Sequence, residues 1–311
     1  MTTTSTDAGT PAPPAAVQAP TAPTVRGGVL AELREIGQDI WDYHELLLQL
    51  TRRDIRIRYK QAIMGFGWAV FMPVFVVLAG LLVRFAMAHL SHTSLEAASV
   101  AGLAVKSVPW SFFVGSLGFA TASLVGNSNL VSKIYFPREV LPLSATLAQG
   151  FDSLIGSATV AVGIGLMGVR PTWALLWLPG LAVLVICFTA ATGLFVGCAN
   201  LFFRDVKYIV QVLLSFGIFF TPVFFEPAMF GPLGARLMML NPLAPLLEGL
   251  RLSVVEGHNL LEPLTVVAKS GQAVLVWSPW YLAYGAVWAG GGLLGSALLF
   301  HRLESKFAEY L

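Results

Sequence analysis

The residues best placed to do chemistry form a short polar, basic and aromatic step, NSNLVSKIYFPREVLPLS, from Asn127 to Ser144. It separates two apolar stretches, each long enough to cross a bilayer. A soluble enzyme has no need of such a step. A membrane protein driven from outside the bilayer needs one, because a partner must grip it somewhere. A second set is the basic run Arg52, Arg53, Arg56, Arg58 and Lys60, just before another apolar stretch. A third is Asp152, a lone carboxylate inside an apolar stretch. Such a group is either a proton or ion site, or a structural carboxylate held by neighbouring Ser and Thr or facing water. No Asp, Glu or His relay appears in the other apolar stretches, which favours the structural role.

Aromatic side chains are the remaining resource. Trp110, Phe112 and Phe113 open one apolar stretch, and Phe216, Phe219, Phe220, Phe224 and Phe225 run through another. Aromatic faces carry the C–H faces of pyranose rings without tight hydrogen bonds, so such a lining suits a moving glycan. The alternative is packed or lipid-facing Phe with an interfacial Trp belt. No GxxxxGK[ST], HExxH, CxxC or Gly-x-Ser-x-Gly is present. His89 and His92 have helical spacing, but two ligands alone make a poor metal site. No catalytic, cofactor-binding or metal-ligating set is therefore assigned. Cys187 and Cys198 share one apolar stretch and are read as packing residues.

The elements that must position these groups are membrane helices. Of 311 residues, 56% are hydrophobic and 12% charged, against about 25% charged in soluble domains. Mean hydropathy is +0.73, and a net charge of +2 gives no reason to expect a nucleic-acid partner. Six spans are predicted: 65–88, 107–125, 141–169, 172–201, 206–225 and 279–300. No alternating strand pattern is apparent, which argues against a β-barrel. Residues 1–28, rich in Ala, Pro and Thr, are expected to be disordered and lack the features of a secretion signal. Residues 29–50 space Leu30, Leu33, Ile36, Ile40, Leu47 and Leu48 for an amphipathic helix in the interface plane, or one packed on a partner. Residues 51–311 then form the membrane domain. Between spans five and six, Leu237–Gly257 is too apolar for a solvated loop. It is read as short helices dipping back into the outer leaflet, or as an interfacial cap.

Lys and Arg placement sets orientation. The five basic residues before span one, Lys133 and Arg138, Arg204 and Lys207, and Arg302 and Lys306 share one side. The other side holds Lys106, Arg170, Arg236, Arg251 and Lys269, with Arg84 expected to snorkel to the outer headgroups. Both termini are thus expected in the cytoplasm.

With these motifs in view, TRRDIRIRYKQAIMGFGWAVFMP (51–73), the step at 127–144, FFRDVKYIVQVLLSFGIFFTPVFF (202–225) and NPLAPLLEGLR (241–251) occur in one order. From about Leu46 onward the chain resembles membrane subunits of ABC polysaccharide exporters, the branch that moves O-antigen, capsule and wall teichoic acid. The resemblance implies an all-α polytopic permease of the bacterial inner membrane. It implies a homodimer paired with two separate ATP-binding subunits, with ATP and Mg2+ bound in those partners and no ATPase site here. It implies that Asn127, Ser128, Asn129, Leu130, Lys133, Tyr135, Phe136 and Arg138 form an ATPase-coupling segment. Arg52, Arg53, Arg56, Arg58 and Lys60 would meet the pyrophosphate of a lipid-linked glycan at a cytoplasmic gate, although the positive-inside effect alone also explains them. Trp110, Phe112, Phe113, Phe216, Phe219, Phe220 and Phe224 would line the channel, and Arg236, Glu248 and Arg251 would lie at an outer gate. The N-terminal tail departs from the family pattern. Three other functions stay open: an ABC permease for a smaller lipid or drug, an ion-coupled carrier using Asp152, and a glycosyltransferase. The last lacks a carboxylate cluster for metal and sugar nucleotide.

Overall fold

Apolar runs broken by few charges leave the backbone no partner but itself, so they fold as helices. The computed structural model describes residues 28–60, 63–65, 67–90, 96–133, 136–267 and 271–310. The tail expected to be disordered, Tyr135, His92 and Lys269 lie outside the described residues. Among the described residues, five helices are long and apolar enough to cross a membrane. They are α3 (Gly67–Leu90), α4 (Ala97–Gly126), α6 (Val140–Leu166), α7 (Trp177–Phe202, continued from a 3-10 turn at Trp173–Leu176) and α11 (Pro279–Glu304). The shortest, at 24 residues, extends about 36 Å, enough for a hydrocarbon core of about 30 Å.

The fifth predicted span differs. Its helix, α8, covers Val206–Gly217, 12 residues or about 18 Å. Residues 218–225 form turns. Gly217 and Pro222 account for the stop: glycine weakens the helix, and proline lacks an N–H and restricts the residue before it.

Helices α4 and α7 form the centre. More than half of the most apolar stretch of each is buried within the chain, against 17% for α3, α6 and α11. They approach closely where a Cβ on Gly197 would lie 2.9 Å from the Ala120 carbonyl oxygen. Helix α6 packs on α4, and α11 packs on α7. The outward faces of α3, α6 and α11 stay apolar, with Phe75, Leu82, Leu154, Val162 and Val287 more than half exposed. Such faces belong against lipid or another apolar surface.

One end of the bundle carries α1 (Val29–Asp42), α2 (His44–Lys60), the short α5 (Ser128–Lys133) and α12 (Phe307–Tyr310). The expected boundary between residues 50 and 51 falls inside α2. Leu50, Val131, Phe136, Leu141, Leu201, Phe300 and Phe307 share one core cluster there. The other end carries α9 (Gly231–Met239), α10 (Leu243–Arg251) and a π-helical turn, Leu252–Glu256. Gly257 ends that turn at φ 64°, where a Cβ would meet Thr172 at 2.8 Å.

An antiparallel hairpin also lies there, β1 (Leu264–Val267) with β2 (Ala273–Trp277). This short pair departs from the all-α expectation. Val274, Val276 and Trp277 are buried, and Trp277 Nε1 donates to the Leu260 carbonyl at 2.9 Å.

Candidate functional site

The basic run divides in two when α2 coils. Arg52, Arg56 and Lys60 recur every four residues, so they share one face, and all three are exposed. Arg53 and Arg58 turn toward the bundle. Arg53 pairs with Asp54 at 2.9 Å and donates to Asn127 Oδ1 at 3.0 Å. Arg58 donates to Gln149 Oε1 at 2.9 Å and pairs with Asp152, while the Tyr59 hydroxyl donates to the other Asp152 oxygen. One turn earlier, Ser144 donates to Asp54 at 3.3 Å. Helix α2 therefore runs along the first half of α6. Asp152 lies 12 residues from the start of α6, about 18 Å in. Its described partners are Arg58 and Tyr59 rather than neighbouring Ser and Thr. Burial and the Asp152 carboxylate push the Tyr59 hydroxyl up from its ordinary value, so it stays a proton donor.

Beside this pair is a cavity of about 320 Å³, bounded by α2, α3, α4 and α6. Trp68, Met72, Trp110, Phe119 and Asp152 line it, and the Arg58 guanidinium lies 4.1 Å from the Phe119 ring centre. Trp110 is thus cavity-lining. Phe112 is buried in a core cluster, and Phe113 is packed between Trp110 and Phe188. Phe216, Phe219 and Phe220 are exposed, whereas Phe224 is buried.

The polar step between α4 and α6 is anchored more than it is free. Asn127 ends α4 and donates to the Ser123 carbonyl at 2.8 Å. Ser128 and Leu130 are half-buried, and Phe136 is buried in the core with Val131. Arg138 turns to α11, where its Nη1 donates to the Glu304 carbonyl at 2.5 Å. Asn129 and Lys133 are exposed. The step presents a small polar surface, held by apolar plugs that would transmit a push to the bundle.

At the opposite end the structure joins charges that lie far apart in sequence. Glu248 is fully buried and accepts from Arg251 Nε at 2.8 Å and Nη2 at 2.5 Å. Lys106, also fully buried, lies 3.5 Å from its other oxygen. Arg251 Nη1 reaches Glu256 at 2.5 Å. Arg84 does not snorkel outward. It is 4% exposed, pairs with Glu226 at 2.9 Å and donates to the Phe224 carbonyl. Three cations thus meet three carboxylates.

Burial pushes the Glu248 carboxyl up, and the charges of Arg251 and Lys106 more than reverse it, leaving it below its ordinary value. Glu226 is lowered in the same way, against its burial, by Arg251 and Arg84. Of the residues expected at an outer gate, Glu248 and Arg251 are therefore locked in a buried network, and Arg236 is exposed. With Arg84, Lys106 and Arg251 neutralised, the described exposed cations on that side reduce to Arg170 and Arg236. The charge asymmetry is sharper than the residue count suggests.

Sequence reasoning missed Tyr59, Gln149, Asp54 and Glu226 as partners. Their only signal was polarity beside or within apolar stretches.

These features define a helical integral membrane protein with exposed basic residues gathered along α2 and no nucleotide-cradle motif in its sequence. A family model described as ABC-2 type transporter matches residues 45–255. The chain belongs to that family, and so is the transmembrane subunit of a transporter whose ATPase resides in a separate partner. An O-antigen export system permease protein RfbA from Klebsiella pneumoniae is 24% identical over 268 residues, 86% of this chain and 95% of that protein. A protein of the same name from Myxococcus xanthus is 27% identical over 245 residues, 78% of this chain and 92% of that protein.

Proposed function

We propose that this chain is the membrane subunit of an ATP-driven ABC exporter that moves a lipid-linked, O-antigen-like polysaccharide across the bacterial inner membrane. The observation that carries this is the ABC-2 match, joined to relatives named for O-antigen export that align over most of both chains. Two copies would pair through the apolar faces that α3, α6 and α11 leave exposed, with an ATP-binding subunit, its ATP and Mg2+ beneath each. Both termini would be cytoplasmic, consistent with the charge asymmetry. Residues 51–311 would form the permease domain, with α8 and the turns after it completing a sixth crossing and α9–α10 re-entering from the outer side.

Lys133 and Asn129 would meet the ATPase, and Val131 and Phe136 would carry its motion into the core. The stripe of Arg52, Arg56 and Lys60 would receive the pyrophosphate, because those three cations are exposed and no described residue pairs with them. Arg53 and Arg58 would hold α2 to the bundle instead. The cavity bearing Trp68, Trp110 and Phe119 offers aromatic faces to a sugar or isoprenoid entering from that stripe. Pairing of Asp152 with Arg58 and Tyr59 speaks against its use as an ion-coupling carboxylate.

Deleting the gene in its host tests the reading. Lipid-linked glycan should accumulate on the cytoplasmic side while surface glycan disappears, and Arg52→Gln/Arg56→Gln/Lys60→Gln should reproduce part of that loss. Unchanged surface glycan with a changed lipid or drug profile would replace glycan by a smaller cargo.

A further inference from the structure

The N-terminal end of α6 and the C-terminal end of α11 meet in a cluster outside the sites described above. Glu139, the residue before α6, is 2% exposed, and neither carboxylate oxygen accepts a hydrogen bond from a described residue. His301 Nδ1 lies 3.5 Å from Glu139 Oε1. Glu304 follows His301 by three residues and so shares its helix face. One ligand atom from each of the three residues falls within 4.8 Å of the others.

A buried carboxylate without donors is costly, and native folds keep one where an ion, a water or a task satisfies it. A charged His301 would offer Glu139 one proton at the long limit of a hydrogen bond and leave the second oxygen bare. Arg138 does not fill the gap. Its backbone N–H donates to Glu304 Oε1 at 3.2 Å and its Nη1 to the Glu304 carbonyl, which orients Glu304 toward the cluster. Glu35 and Asp39 of α1 add negative charge within electrostatic range.

We propose that Glu139, His301 and Glu304 bind one divalent transition-metal ion per chain, of the Zn2+ or Mn2+ class. One imidazole nitrogen with two carboxylate oxygens is a donor set suited to these ions, whereas Ca2+ and Mg2+ prefer oxygen alone. Bonds of about 2.1 Å in a tetrahedral site hold adjacent ligand atoms about 3.4 Å apart. The Glu139–His301 pair already has that separation, and the Glu304 ligand atom, within 4.8 Å of both, would have to move in to reach it. Arg138 acts from behind by fixing Glu304, the kind of support metal ligands receive. The ion would pin the start of α6, just after the coupling segment, to the end of α11. This proposal stands apart from the transport reading, because binding is measured without glycan or ATPase.

The test uses the purified, untagged full-length chain in detergent, equilibrated with Zn2+ or Mn2+ and then dialysed against metal-free buffer. Elemental analysis should find about one ion per chain. The melting temperature should rise with added metal and fall with chelator. Glu139→Gln and Glu304→Gln should each weaken binding about tenfold or more. Because a variant can misfold, the metal content and chelator response of the parent chain decide by themselves. Metal below about a tenth of an equivalent, with identical melting in metal and chelator, would show an ion pair or shared proton and overturn the proposal. Equal retention by both folded variants would also overturn it, since the ion would then lie elsewhere.

Discussion

Replacing Glu248 by Gln removes the shared anion of the buried charge network while keeping side-chain volume. In the parent, Glu248 accepts two bonds from Arg251 and faces Lys106 at 3.5 Å, with both Glu248 and Lys106 fully buried. Arg251 keeps Glu256 at 2.5 Å after the change. Lys106 loses its ion-pair partner among the described residues and keeps only the more distant charge of Glu226. Breaking a buried pair from one side costs about 3–5 kcal/mol, chiefly the desolvation of the charge left behind. At about 2–4 °C per kcal/mol, the apparent melting temperature falls by roughly 10 °C. Adding Lys106→Met removes the stranded charge and should recover most of that loss, a coupling of about 2 kcal/mol. The assay is thermal unfolding of both purified variants followed by helical circular dichroism. A Glu248→Gln single variant melting within about 2 °C of the parent would refute the argument, because Lys106 would then have another partner or access to water.

The same network gives a pH dependence. Glu248 and Glu226 are held below their ordinary value of 4.5, so their contribution to stability is complete above that pH and is lost as pH falls through the lower folded values. The difference in melting temperature between the parent and Glu248→Gln should be level at neutral pH and shrink below about pH 4.5. Gly197→Val places branched carbons where a Cβ alone would sit 2.9 Å from the Ala120 carbonyl oxygen, so α4 and α7 must separate, at a cost of about 1–3 kcal/mol read by chemical or thermal unfolding. Lys133→Glu, on an exposed site, should leave melting unchanged within about 0.5 kcal/mol while reducing co-purification of the ATPase. Unimpaired co-purification would remove Lys133 from the dock.

Five spanning helices were visible in the sequence because about 20 apolar residues in a row leave few alternatives. The fifth predicted span was not readable as a helix from apolarity alone. Residues 206–225 are largely apolar, yet Gly217 and Pro222 stop the helix, and backbone constraints outweigh hydropathy there. The hairpin escaped notice because its strands are 4 and 5 residues long. Its signals were the Val and Thr enrichment and a glycine, Gly271 at φ 79°, between the strands.

The site shows the same division. The lack of a relay argues in sequence for a held carboxylate at Asp152, but its pairing with Arg58 joins residues 94 apart in sequence. Arg84, Lys106 and Arg251 look like stray outer cations until Glu226, Glu248 and Glu256 are folded against them. Spacing along α2 does separate Arg52, Arg56 and Lys60 from Arg53 and Arg58 once a helix is assumed, and that distinction was available without coordinates.

Reconstituted translocation tests the central claim most directly. Proteoliposomes holding this chain with its ATP-binding subunit should carry a fluorescent lipid-linked polysaccharide to the far leaflet only when ATP and Mg2+ are supplied, and vesicles holding this chain alone should carry none. Net accumulation of the polymer by the lone chain, or equal transport with and without ATP, would contradict the account.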